Sequence, residues 1–87
     1  DGNRLAVGSV NDDGVSNALT NAGAVYLFSF ADAAFNSPTL EGIIGQGYTG
    51  GKNINVTTLD ISDSFGSSIA LDGNRLAVGS PNDDGQG

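Results

Sequence analysis

The chain has 87 residues, and its ten acidic and three basic residues give a net charge of −7. Because binding to phosphate groups needs clustered lysine and arginine, this balance argues against nucleic acid and anionic membranes as partners. No apolar run approaches the roughly 18 residues of a membrane-spanning segment, so we expect no membrane insertion. The sequence contains no histidine and no cysteine, which removes disulfides, transition-metal ligands and the usual catalytic bases and nucleophiles, so we predict no enzyme activity in this piece.

One sequence of fourteen residues occurs twice. Residues 1–14 read Asp-Gly-Asn-Arg-Leu-Ala-Val-Gly-Ser-Val-Asn-Asp-Asp-Gly, and residues 72–85 repeat them with one change, from Val10 to Pro81. A repeat at a fixed offset of 71 residues predicts one period of a repeated structure followed by the start of the next. The absence of methionine also suggests an excised piece of a longer protein.

Three strands are predicted in the first half of the chain. They cover residues 4–9, 23–30 and 39–44, of which residues 23–30 form the strongest. Because residues 23–30 are apolar on both faces, we expect other sheets to hide both faces from water. The two faces carry Val25 and Leu27 on one side and Tyr26, Phe28 and Phe30 on the other.

The second half of the chain predicts an alternating, half-buried strand and a hairpin. Residues 53–59 alternate apolar and polar side chains, as a half-buried strand does. Residues 65–71 and 75–80 are joined through the turn residues 72–74 and so predict a hairpin. The region 45–60 is interpreted as an insertion, because it lengthens the period.

The predicted fold is all-β, an antiparallel meander that resembles one β-propeller blade. We assign residues 1–71 to one blade-like repeat in offset register and residues 72–87 to the start of the next repeat. The period is longer than the roughly 40–50 residues of common propeller repeats. A single repeat rarely buries its apolar face by itself, so we expect neighbouring repeats or self-association to complete the core.

Three segments resemble the FG-GAP repeat. They are Phe-Gly-Ser-Ser-Ile-Ala at 65–70, Leu-Ala-Val-Gly-Ser-Pro at 76–81, and Gly-Ala-Val-Tyr-Leu-Phe at 23–28. This family builds the seven-bladed propeller of integrin α subunits and occurs in large repetitive, adhesin-like bacterial surface proteins. The resemblance implies a structural or adhesive module, at the bacterial cell surface or otherwise extracellular, that binds protein or glycan through its loops. An enzyme whose catalytic residues lie elsewhere in a longer parent is the weakest alternative.

Calcium is the cofactor that the resemblance raises. In FG-GAP repeats an Asp-rich loop between the Phe-Gly strand and the Val-Gly-Ala-Pro strand holds the ion, but here that loop is only residues 72–74. The alternative function is therefore a calcium-binding module whose metal lies at the two Asn-Asp-Asp-Gly segments. Adjacent acids differ from the alternating spacing of a calcium loop, and a solvated turn explains them as well. The candidate ligands are Asp12, Asp13, Asp83 and Asp84.

Other residues have a functional and a structural interpretation. Tyr48 lies among loop glycines and is the candidate exposed aromatic for ligand binding. Asp60 and Asp63 could form a carboxylate pair, although turn capping explains them better. Arg4 and Arg75 occupy the same repeat position, where they could bind a carboxylate ligand or pair with an acid of the adjacent strand.

Overall fold

The protein is all-β, as the sequence predicts. The computed structural model describes residues 2–17, 19–60, 62–73 and 75–81. These residues form two sheets and one turn of 3-10 helix (Val15–Asn17), and none of them belongs to a helix long and apolar enough to cross a membrane. The strands are β1 (Arg4–Ser9), β2 (Ala24–Ser29), β3 (Thr39–Gly45), β4 (Ile54–Asn55), β5 (Ser68–Asp72) and β6 (Arg75–Gly79).

The first sheet contains the predicted meander. Its order is β1-β2-β3-β4, and β1, β2 and β3 are consecutive antiparallel strands. Val7 lies opposite Tyr26, which in turn lies opposite Ile43. Val25 on the central strand is completely buried, and this fixes the register, because a slip of one residue would turn it out of the core.

The fourth strand differs from the prediction. The sequence predicts a strand over residues 53–59, but only Ile54–Asn55 is a strand, it runs parallel to β3, and Ile54 is 52% exposed. The Asn53 side chain gives the physical reason, because its Oδ1 accepts the Ile43 N–H at 2.8 Å and so replaces a backbone partner of β3. The predicted half-buried antiparallel strand was therefore wrong, although the alternation of side chains was present.

The second sheet is the predicted hairpin of β5 and β6, with Asp72 opposite Arg75. Its first strand begins at Ser68 and not at Phe65. Gly66 has φ +94°, which interrupts the extended chain, and Phe65 makes an isolated parallel bridge with Gly23 instead. The two sheets remain open, so the closed ring of blades stays a prediction.

A close crossing joins the two sheets. A Cβ atom on Gly8 of β1 would overlap the carbonyl oxygen of Gly66, so the chains approach closely only because β1 has a glycine there. The core around this crossing is small. Its buried apolar residues, among those described, are Ala22, Ala24, Val25, Ile44 and Leu59.

The aromatic strand is covered less completely than the sequence predicts. Val25 is hidden from water, but Tyr26, Leu27, Phe28 and Phe30 are half-buried. Neither face is bare, because no side chain from Ala24 to Phe30 is exposed, although the hairpin strands contact the first sheet through β1 and not through β2. Apolar surface on this strand still contacts solvent, which a neighbouring repeat would cover.

Candidate functional site

Asp12 gathers two tyrosines from distant parts of the chain. It follows β1 directly, where its N–H donates to the Ser9 carbonyl at 3.1 Å. The Tyr48 hydroxyl, 36 residues along the chain, donates to Asp12 Oδ1 at 2.8 Å, and the Tyr26 hydroxyl of β2 donates to Oδ2. The Gly14 N–H donates to Oδ1 at 2.8 Å. The predicted metal ligand and the predicted ligand-binding aromatic therefore meet in one cluster, which we call the Asp12 cluster.

The Asp12 cluster keeps both phenols protonated. The hydrogen bond to Asp12, followed by burial, raises the pKa of Tyr26 above its ordinary value. Burial, followed by the hydrogen bond to Asp12, raises the pKa of Tyr48 strongly. Both shifts have the same physical meaning, because a phenolate would lie against a carboxylate in a partly dehydrated place. Each hydroxyl is thus held as a donor, and the cluster links the ends of β1 and β3 to β2.

Tyr48 is not the exposed aromatic that the sequence predicts. It is half-buried, and a Cβ atom on Gly45 would lie 3.0 Å from its ring. Its role in ligand binding stays a prediction, with its hydroxyl already committed to Asp12. The exposed aromatic is Phe35, which is 65% exposed and packs edge-on against Phe30, with ring centroids 5.2 Å apart. The sequence places Phe35 in a polar loop, which does not specify whether the ring turns inward or outward.

Asp13 closes the loop between β1 and β2. Its Oδ1 accepts the Asn21 N–H at 2.9 Å, and its carbonyl accepts the Leu19 N–H at 2.8 Å. These contacts are those of a structural loop residue.

Calcium is the metal that the sequence raises for Asp12 and Asp13. The ion takes 6–8 oxygen ligands, whereas both oxygens of Asp12 already accept protein hydrogen bonds. No group of three or more acids, histidines or cysteines that could hold a metal occurs within the described part of the chain. Asp83 and Asp84 lie outside the described residues. Calcium binding at Asp12 and Asp13 therefore stays a prediction, and it would need further oxygen ligands.

Asp63 behaves as a turn cap. It is only 2% exposed, its Oδ2 accepts the Asp60 N–H at 2.8 Å, and its carbonyl accepts the Ser80 hydroxyl at 2.9 Å. It thereby ties the turn before β5 to the end of β6. This geometry fits the capping interpretation better than acid–base chemistry.

A cavity of about 440 Å³ lies between the first sheet and the hairpin. Its apolar wall includes Leu5, Phe28 and Leu76. Its polar wall contains every basic residue of the chain, which are Arg4, Lys52 and Arg75. We call this space the junction cavity, because it lies where the repeated sequence starts again.

The cations of the junction cavity have different partners. Lys52 Nζ forms an ion pair with Glu41 Oε1 at 2.6 Å, the one ion pair within the described ranges. This contact and a hydrogen bond from the Ser29 hydroxyl hold the pKa of Glu41 below its ordinary value. The Arg4 guanidinium donates to the Gly73 carbonyl at 2.7 Å. For Arg75, the prediction of an acidic partner on the adjacent strand was wrong among the described residues.

Comparison with known proteins identifies one segment. Residues 60–87 match the model of the FG-GAP repeat family, which confirms the resemblance for the segment that carries β5 and β6. Such repeats are generally structural modules without catalytic activity and usually occur in extracellular proteins. No curated protein and no solved structure gives a significant match to the chain.

Proposed function

Because residues 60–87 carry an FG-GAP repeat and residues 1–14 duplicate part of it, we propose that the chain is a structural and adhesive repeat module of a bacterial cell-surface protein. Its copies join edge to edge, and a surface loop contacts a protein or glycan. The observation that carries the proposal concerns β1 and β6, which have the same sequence. Each hydrogen-bonds to its own neighbouring strand, β1 to β2 and β6 to β5, and the two strands do so through opposite edges.

The first strand directs one set of backbone groups to β2. The Phe30 N–H donates to the Asn3 carbonyl at 2.9 Å, which makes these two residues a hydrogen-bonded pair. Bonding alternates along an antiparallel pair, so Leu5, Val7 and Ser9 also direct their backbone groups to β2. The alternate residues of β1 therefore face the other edge.

The last strand uses the other set. Asp72 and Arg75 flank a connection two residues long, and such flanking residues form a hydrogen-bonded pair, so Arg75 and Ala77 direct their backbone groups to β5. Their counterparts at the 71-residue offset are Arg4 and Ala6, which point away from β2. The outer edge of β1 thus matches a copy of β5, and the outer edge of β6 matches a copy of β2.

A row of copies would satisfy both open edges. Leu5 and Val7 are 39% and 41% exposed, whereas their counterparts Leu76 and Val78, which have β5 beside them, are half-buried. Unpaired strand edges are usually protected in native proteins, and a continuous array supplies that protection.

The adhesive contact is assigned to the loop at residues 30–38. Asp32 fixes this loop, because its Oδ1 accepts the Ala34 N–H at 2.8 Å and its Oδ2 accepts the Asn36 side chain at 2.9 Å. Phe35 is therefore presented to solvent from an ordered loop. An exposed, positioned aromatic ring suits the apolar face of a sugar or a peptide side chain.

Two experiments test the proposal. Proteins with two and three 71-residue periods should unfold at higher denaturant concentration than the 87-residue chain, because each junction buries another edge. Equal midpoints would remove the case for an array. For adhesion, beads that carry Phe35→Ser should lose binding to a glycan or cell surface, while the matched exposed variant Ile54→Ser should retain it. Equal binding of the two variants would contradict the assignment of the loop.

A further inference from the structure

The hairpin packs on one face of β1 within the same chain. Ala6 and Gly8 lie on this face, because side chains alternate along a strand. The Gly66 carbonyl oxygen occupies the position that a Cβ atom on Gly8 would take, and Ile69 Cδ1 lies 3.1 Å from that position. Residues 66–69 thus seat on β1, and Ala6, beside this contact, is half-buried.

The same face is open on β6, which repeats the sequence of β1. At the 71-residue offset, Ala6 and Gly8 correspond to Ala77 and Gly79. Ala77 is exposed, although it has β5 beside it on the edge that is unpaired at Ala6. Ala77 and Gly79 line an open hollow of about 360 Å³. Among the described residues, the duplicated surface therefore lacks the cover that β1 has.

The two faces of the hairpin have different tasks. Ile69 and Leu76 lie on the face toward the first sheet and are half-buried. Ala70 pairs with Ala77 on the opposite face, and both are exposed. One face of the hairpin thus covers a preceding strand, and the other face can itself be covered. Packing of this kind can be repeated from one period to the next.

A hydrogen-bond donor already lies at the open position. Ser68 is directly opposite Gly79 in the hairpin, and its hydroxyl lies against the position of a Cβ atom on that glycine. On β1 the corresponding position is occupied by the Gly66 carbonyl, which is an acceptor. A hydroxyl and a carbonyl that meet over one glycine can form a hydrogen bond.

We propose that the open face of the hairpin binds the hairpin of the following period in an array, as β1 binds residues 66–69 of its own period. The Gly66 carbonyl of the following copy lies over Gly79 and accepts the Ser68 hydroxyl. A separate molecule does not fit this face, because the matching face of its hairpin already covers its own β1. The inference rests on the proposed function, since it needs a following period, and it adds a contact between faces to the joining of edges.

Thiol labelling of a two-period protein, residues 1–87 followed by a second pass of residues 17–87, tests the inference. The chain has no cysteine, so Ala77→Cys introduces a single thiol, in either the first or the second period. In the first period the thiol faces the next hairpin and should react with a maleimide about tenfold more slowly than in the second period, whose hairpin is the last. Equal rates would overturn the inference.

The urea midpoint separates this inference from the array itself. Equal labelling rates with a midpoint above that of the 87-residue chain would keep the joining of edges and remove the contact between faces, because edges alone leave Ala77 open. Equal rates with equal midpoints would remove both.

Ser68→Ala provides a second test that adds no bulk. In the first period it should lower the urea midpoint of the two-period protein by about 0.5 M, the loss expected for one hydrogen bond. In the second period the same substitution should leave the midpoint unchanged, because no hairpin follows. An equal effect in the two periods would contradict the hydrogen bond to the Gly66 carbonyl and overturn this placement of the hairpin.

Discussion

Replacing Asp12 with asparagine should destabilise the protein more than any other isosteric change of an acid among the described residues. The carboxylate accepts hydrogen bonds from the hydroxyls of Tyr26 and Tyr48 and from the Gly14 N–H. Asparagine keeps one acceptor oxygen but places an NH₂ donor against groups that are themselves donors. At least one tyrosine hydroxyl would then lose its partner in a half-buried place.

The magnitude follows from the charge of the acceptor. A hydrogen bond to a charged group contributes about 1.5–3 kcal/mol, and the three bonds are not additive because they share one carboxylate. Partial exposure lowers the total, so we expect Asp12→Asn to cost about 2–3 kcal/mol. A domain of this size has a free energy of unfolding of roughly 4–13 kcal/mol, so the variant should lose a large share of it.

Urea unfolding followed by far-ultraviolet circular dichroism measures this change. Asp13→Asn is the matched control, because the neighbouring carboxylate accepts one backbone N–H from the described residues, that of Asn21, and its loss should cost about 1 kcal/mol or less. A double-mutant cycle of Asp12→Asn with Tyr48→Phe should give a coupling of about 1 kcal/mol.

Two results would refute the reasoning. If Asp12→Asn costs less than about 0.5 kcal/mol, the hydrogen bonds of the Asp12 cluster do not stabilise the fold. If Asp12→Asn and Asp13→Asn are equivalent and differ from the parent only when calcium is present, the two acids are metal ligands and not loop supports.

Three further predictions concern pH, packing and metal. The pKa of Tyr48 is higher in the folded chain than the unfolded value near 10, so the contribution of this shift to stability is fully present below about pH 10 and falls as the pH rises above it. The melting temperature of Tyr48→Phe should therefore fall less between pH 8 and pH 11 than that of the parent, and an equal fall would contradict the shift. Gly8→Ala should lower the free energy of unfolding in urea by about 2–3 kcal/mol, because the new methyl group meets the Gly66 backbone. At the repeat counterpart, Gly79→Ala, the methyl group meets the movable Ser68 hydroxyl, and the cost should be about 1 kcal/mol or less. Equal costs would contradict the close crossing. Millimolar calcium should leave the melting temperature of the chain unchanged, and a clear rise would indicate a site completed by other ligands.

Sequence patterns predicted the strands that depend on local signals. The apolar run around Val25 gave β2, and the repeated segment gave both β1 and β6. These elements are determined by side chains close together in sequence and by a short turn. The prediction over residues 53–59 failed because alternation specifies neither the partner strand nor whether a partner covers the apolar side chains: Ile54 is 52% exposed, and Asn53 satisfies part of β3 with its side chain.

The candidate sites depended on contacts that no local pattern specifies. Asp12 and Tyr48 were both identified from sequence, but as separate functions, since 36 residues separate them. The recurrence of Arg4 and Arg75 indicated a possible carboxylate site, yet only the packing of the hairpin brings them to the same cavity. Phe35 was missed as an exposed residue, because an aromatic in a loop can turn inward or outward with equal ease.

The Asp12 cluster also provides an intrinsic fluorescence probe of local unfolding. The chain has two tyrosines and no tryptophan, so its tyrosine emission arises entirely from two phenols that share one quenching carboxylate. Emission should brighten when this junction opens and remain dark while β5 and β6 separate elsewhere. Fluorescence and circular dichroism recorded on one sample would then distinguish the release of a single loop from the collapse of the whole fold.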